Sequence, residues 1–236
     1  MSKFSKSKTL HFIILFSISM AMLEAAVVIY LRILFFPSHF DLPMLTIPGI
    51  VMGAELSREL ATILMLISVG YFAGHNKASR FAWFLISFAI WDIFYYVFLY
   101  LFLNWPSSIL GWDILFLIPV PWYGPVLSPI IVSLCMTVFA AVILYAQTKT
   151  FVLRTNLRER LAMLAGCFVI LFTYTFDFIL YIYKMDVNLK FAFTMFTPEK
   201  YNWPLFGVGI ALIITGILAY WKRIKKIDSE IVEAMY

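Results

Sequence analysis

The chain has 236 residues, of which 63% are hydrophobic and only 13% charged, against about 25% charge in a soluble domain, and its mean hydropathy is +0.92. The net charge of +5 comes from basic residues in short loops beside apolar runs, which makes it a topology signal and argues against a nucleic-acid partner. The two cysteines, Cys135 and Cys167, lie in different apolar runs, and His11, His39 and His75 are scattered near run ends. This argues against a disulfide framework, a thiolate metal site, a haem and a His-rich zinc centre.

A membrane span needs about 20 apolar residues. On that rule the chain is an all-α integral membrane protein, one transmembrane domain over 1–236. Its six spans lie at roughly 10–31, 49–73, 80–103, 124–147, 160–184 and 204–221. The first is too long for a signal-peptide core and contains Glu24. The second carries Glu55, Arg58 and Glu59, and the third Asp92, Tyr95 and Tyr96. Between spans three and four runs a connection over 104–123 whose apolar stretch, Ile109 to Val120, is too short to cross. With its proline-rich continuation it predicts a short re-entrant or lid segment on the outer side, placing Asp113 near a pocket mouth. Span five carries Asp177 within a polar stripe of Thr173, Tyr174, Tyr181 and Lys184. Span six carries Gly207, Ala211, Thr215 and Ala219 at four-residue steps, the pattern of a close-packing seam.

Lysines and arginines set the orientation. Lys3, Lys6, Lys8, Lys77, Arg80, Lys149, Arg154, Arg158, Arg160, Lys222, Arg223, Lys225 and Lys226 fall on one side, and Arg32, Lys184, Lys190 and Lys200 on the other. This asymmetry predicts a multi-pass protein of the cell (plasma or inner) membrane with both termini cytoplasmic. Six of the seven tryptophans fall near predicted interfaces, Trp83 among them; Trp91 adjoins Asp92 instead.

Six ionisable groups inside the spans, Glu24, Glu55, Arg58, Glu59, Asp92 and Asp177, would together cost roughly 15–20 kcal/mol if they faced lipid. They are therefore expected to face one another. Their depth agrees: with alternating span directions, all five carboxylates fall in the middle-to-outer half. Their helical faces agree as well. Glu55, Arg58, Glu59 and Thr62 share one face, as do Ser17, Met20, Glu24 and Arg32, and so do Asp92, Tyr95 and Tyr96. The expected site is an outward-facing carboxylate/arginine pocket. Its excess negative charge calls for a divalent cation (magnesium, calcium or manganese) or for protons. Glu24, Glu55, Glu59 and Asp92 are the candidate metal ligands. Glu55, Arg58, Glu59 and Asp92 are the candidate catalytic groups, supported by Arg32, Tyr95, Tyr96, Asp113 and Asp177.

Glu55-Leu-Ser-Arg-Glu59 resembles the ExxxE element of undecaprenyl-pyrophosphate phosphatases. The resemblance covers five residues, and the serine- and arginine-bearing second motif of that family is absent, so no family is assigned. The functional expectation is a pocket that binds a cation or protons, in a small membrane enzyme acting on a lipid or other amphiphile. The alternatives are a proton- or cation-coupled carrier, or a non-catalytic subunit of a larger complex. The expected partners are the lipid bilayer, an amphiphilic ligand, and further subunits of an oligomer or complex.

Overall fold

The structure is a computed structural model that describes residues 3–35, 48–149 and 154–234. Seven helices and one two-stranded hairpin follow in the order α1 (Lys3–Phe35), α2 (Gly49–Ala73), α3 (Lys77–Leu103), β1 (Trp112–Phe116), β2 (Trp122–Pro125), α4 (Leu127–Ala146), α5 (Leu157–Met185), α6 (Leu189–Met195) and α7 (Trp203–Ala234). The all-α class holds for the helices. Five of them, those of α1, α3, α4, α5 and α7, are long and apolar enough to cross a membrane. The remaining long helix, α2, spans 25 residues and carries Glu55, Arg58 and Glu59.

The helix ends follow local chemistry. Asn76 starts α3 and Asn156 starts α5, each in a reciprocal capping box, with Ser79 and Glu159 respectively. Asn104 and Asp186 close the same helices with left-handed backbone at φ 50°, a conformation that short polar side chains tolerate. α1 and α7 run well beyond the expected spans, because the Lys- and Arg-bearing ends continue the helix instead of forming loops.

α3 is the centre of one half of the bundle and packs on α1, α2 and α4. α5 packs on α7, and α4 joins the halves through α7. Between 28% and 39% of each span window is buried. The rest of those helices is exposed and still apolar, with Phe12, Leu23 and Phe168 each about 70% exposed. Apolar residues all round a helix that is only one-third buried fit lipid as the surrounding solvent.

In lipid, helices gain little from hiding apolar surface, so close approach decides packing. The expected seam on α7 is off by a face. Gly207, Ala211, Thr215 and Ala219 are exposed, and a Cβ at Gly207 would meet nothing within 4 Å. The contact with α5 instead runs along Phe206, Gly209, Ile213, Gly216 and Ile217. A Cβ on Gly209 would sit 2.7 Å from Ile170 and 3.0 Å from the Gly166 carbonyl, and one on Gly166 would sit 2.6 Å from the Gly209 carbonyl. Both glycines are needed for the two backbones to approach this closely. Trp83, expected at an interface, is buried in the core with Ala140, Ile143 and Tyr220.

The 104–123 connection contains β-structure. β1 and β2 pair antiparallel, with Asp113 opposite Gly124 and Ile114 opposite Tyr123, and the register shifts between Ile114 and Phe116. Such a shift bends the strand and re-aims its backbone. The hairpin packs on α5 and α4, with Trp122 stacked on Tyr174 and Tyr123 against Phe178 and Phe196.

The bundle has two chemically distinct ends. At one end the Asn76 side chain donates to Gln147 (2.7 Å), Lys149 meets Asp228 (2.6 Å), and Arg223 grips both oxygens of Glu159 (2.7 Å each). This is where the basic residues collect. The hairpin, the C-terminal halves of α1 and α3 and the N-terminal half of α2 lie at the other end.

Candidate functional site

A cavity of about 120 Å³ lies at the hairpin end, between α1, α2, α3 and β1. Helical spacing explains its polar lining. Glu24 and Arg32 come from α1, Glu55, Arg58 and Glu59 from neighbouring turns of α2, and Asp92, Tyr95 and Tyr96 from one turn of α3. Asp113 and the backbone stretch Ile114–Leu117 come from the hairpin, and Phe193 from α6. The volume admits several water-sized groups.

Each charged group has a specific neighbour. Arg58 pairs with Glu24 across the α1–α2 contact and with Glu55 one turn back, through Nη2 at 2.6 Å and Nε at 3.1 Å. Glu24 also accepts the Thr62 hydroxyl at 3.0 Å. Arg32 reaches Asp113 at 3.3 Å, and its guanidinium lies 3.7 Å from the centre of the Trp105 ring. The Tyr96 hydroxyl donates to the other Asp113 oxygen at 3.2 Å. The hairpin is thereby tied to α1 and α3 through one carboxylate. Burial pushes the Asp113 carboxyl up to about 6, while the Arg32 charge, the Ile114 N–H and the Tyr96 hydroxyl pull it back down.

The remaining two acids meet neutral donors. The Leu117 N–H donates to both oxygens of Glu59 at 3.0 Å, just beyond the strand irregularity. The Ser133 hydroxyl on α4 donates to Asp92 at 2.8 Å. Among the described residues, five carboxylates and two arginines line this one cavity, so full ionisation would leave an excess of three negative charges. Trp91 also lines the cavity. It is 6% exposed, and among the described residues no group accepts a hydrogen bond from its buried indole Nε1.

Glu24, Glu55, Arg58, Glu59, Asp92, Tyr95, Tyr96 and Arg32 are brought together as their helical faces require. Asp177 is not: it is exposed on α5 and does not line the cavity. The first turn of α7 already lies level with Tyr174, through the Tyr174–Phe206 contact. Among the described residues, α5 contributes none to the cavity lining, so Asp177, nearly a turn further along that helix, is kept out of the site. The polar stripe splits there, with Thr173 bonded to the Tyr201 hydroxyl at 2.9 Å and Lys184 exposed. Asp113 takes the place of Asp177. It is 3% exposed and lines the cavity. An acid in the middle of an apolar run was the available signal for this. Ser133, Trp91 and Phe193 were not anticipated; the Ser133–Asp92 bond depends on the α3–α4 packing, which no local pattern states.

His39 lies outside the described residues. Among the described residues, no three His, Cys, Asp or Glu side chains form a group arranged to hold a metal ion. Cys135 is half-buried and Cys167 exposed, both as free thiols. No family model, curated protein or solved structure matches this chain.

Proposed function

We propose that the chain is a six-span protein of the cell membrane, with α2 as the sixth span and both termini cytoplasmic. Its cavity opens on the outer side and holds a cation or protons. The observation that carries this reading is the charge imbalance of one cavity: five carboxylates against two arginines. Such a set cannot stay fully ionised in a low-dielectric site without a counter-charge. Glu59 and Asp92, whose partners are neutral, are the groups that meet it. A divalent ion and protons both supply the missing charge. The hairpin acts as a lid, held through Asp113 and Leu117.

The orientation rests on the basic end of the bundle facing the cytoplasm. A pocket is favoured over a through-path. The hydroxyls in the inner halves are already committed, Ser17 to Ser87 at 2.8 Å and Thr137 to its own helix. A second reading is a small membrane enzyme acting on an amphiphile. The pairing of a neutral-partnered Glu59 with Asp92 in one cavity favours it, since the two would serve as proton donor and acceptor.

The test is thermal unfolding of the purified protein from pH 5 to 8, with and without magnesium, calcium or manganese, beside Glu59→Gln and Asp92→Asn. Both substitutions retain an oxygen acceptor for Leu117 or Ser133. The expected result is a wild-type Tm that responds to pH or to the ion and a blunted response in both variants. A wild-type Tm indifferent to both refutes the reading.

A further inference from the structure

Three features of the cavity point to the same ligand chemistry. The first is charge placement. Arg58 is shared by Glu24 and Glu55, and Arg32 is committed to Asp113. One of the three uncompensated charges is therefore spread over Glu24 and Glu55, and the other two rest on Glu59 and Asp92, the acids with no arginine ion pair among the described residues. The second is the wall. Beside the acids it is aromatic, with Trp91, Tyr95, Tyr96 and Phe116 all lining the same space. Carboxylates among aromatic rings suit an ammonium group, which gains from both the charge and the ring quadrupoles. The third is the indole of Trp91, buried to 94% with an Nε1–H that nothing accepts among the described residues. A buried donor of this kind calls for an acceptor, and neither a bare metal ion nor an ammonium group supplies one.

We propose that the cavity binds a small organic cation of amino-alcohol type: an ammonium group held by Glu59 and Asp92 among the aromatic rings, with an adjoining oxygen that accepts from Trp91. This rests on the reading of the cavity as a cation site and deepens it. A cavity of about 120 Å³ suits such a group and not a whole lipid. The ligand is therefore a free amine or the head group of an amphiphile whose tail stays outside.

The experiment uses the full chain, delipidated in detergent. Tm is measured against ethanolamine, propylamine (the ammonium without the oxygen), ethylene glycol (the oxygen without the charge) and sodium chloride at matched ionic strength. Ethanolamine is expected to raise Tm saturably and propylamine more weakly, while ethylene glycol and salt leave it unchanged. Asp92→Asn should weaken the ethanolamine response at least about tenfold, the scale of one lost charge-assisted contact. Trp91→Phe should erase the difference between ethanolamine and propylamine. The wild-type series decides the matter even where a variant fails to fold. Native mass spectrometry from nanodiscs separates the sources: selective retention of phosphatidylethanolamine over phosphatidylglycerol identifies a head group, and its absence beside a free-ethanolamine response identifies a free amine. No response to any ammonium compound overturns the proposal. If divalent ions or pH then still move Tm, the cation-or-proton reading survives without it; if they do not, both fall.

Discussion

Arg58 is the residue on which most of the cavity's charge balance turns. It is the shared, part-buried partner of Glu24 and Glu55, and the about 3–5 kcal/mol lost when one partner of a fully buried ion pair is removed, because the other charge stays behind, sets an upper bound here. Arg58→Gln is expected to destabilise by less than that bound, and adding Glu24→Gln should restore part of the loss. A double-mutant cycle by denaturation checks this; strict additivity would mean that the pair is not coupled. Asp113 makes a separate prediction. Its carboxyl lies at about 6, above the ordinary 3.8, so the folded state holds the proton more tightly than the unfolded state does. The associated stability is present below about pH 4 and is lost as pH rises through about 6. Tm should therefore fall over that window, and Asp113→Asn should remove that component. A wild-type carboxyl infrared band assigned to Asp113 that titrates near 4 would contradict it.

At the scale of elements, the α5–α7 contact separates two glycines of the same helix. Gly209 faces Gly166 and Ile170 at distances that exclude a Cβ, whereas Gly207 faces open space. Gly209→Leu should force the helices apart and cost about 1–3 kcal/mol or more, as overpacking does. Gly207→Ala should stay within about 0.5 kcal/mol or stabilise slightly, since alanine is the better helix former. Thermal unfolding of the two variants side by side checks the assignment of the seam, and equal sensitivity would show that it is wrong. The hairpin behaves differently. Its links to the helices run through single polar groups, Asp113 and the Leu117 N–H, as well as through the Trp122–Tyr174 stack.

At the scale of the whole molecule, the question is whether α2 crosses the bilayer with its three charges. Its length of 25 residues corresponds to roughly 37 Å, above the 30 Å hydrocarbon thickness. Its charged groups are satisfied within the bundle, by Glu24, Leu117 and one another. Reporter fusions at Asn76 and Ser107 are expected on opposite sides of the membrane, and an insertion beside Pro48 on the same side as Ser107. A reporter beside Pro48 on the side of Asn76 would mean that α2 lies along the surface and that the chain crosses five times.

Membrane class, the helix positions and the composition of the cavity were legible in the sequence, because each follows from a property that residues carry locally. Apolar length sets a helix in lipid, and the 3.6-residue repeat puts Glu55, Arg58 and Glu59, or Asp92, Tyr95 and Tyr96, on one face. What lay beyond local pattern was decided by which elements come alongside one another. Asp177 has the same chemistry and nearly the same depth as its fellow acids, yet it is exposed because its helix, α5, does not wall the cavity. Gly207 and Gly209 differ by two positions, and only the approach of α5 makes one of them indispensable. Asp113 sits in an apolar stretch whose strand pairing brings it between Arg32 and Tyr96, from 81 and 17 residues away. Sequence periodicity specifies the faces of an element; tertiary packing decides which face is covered, and by what.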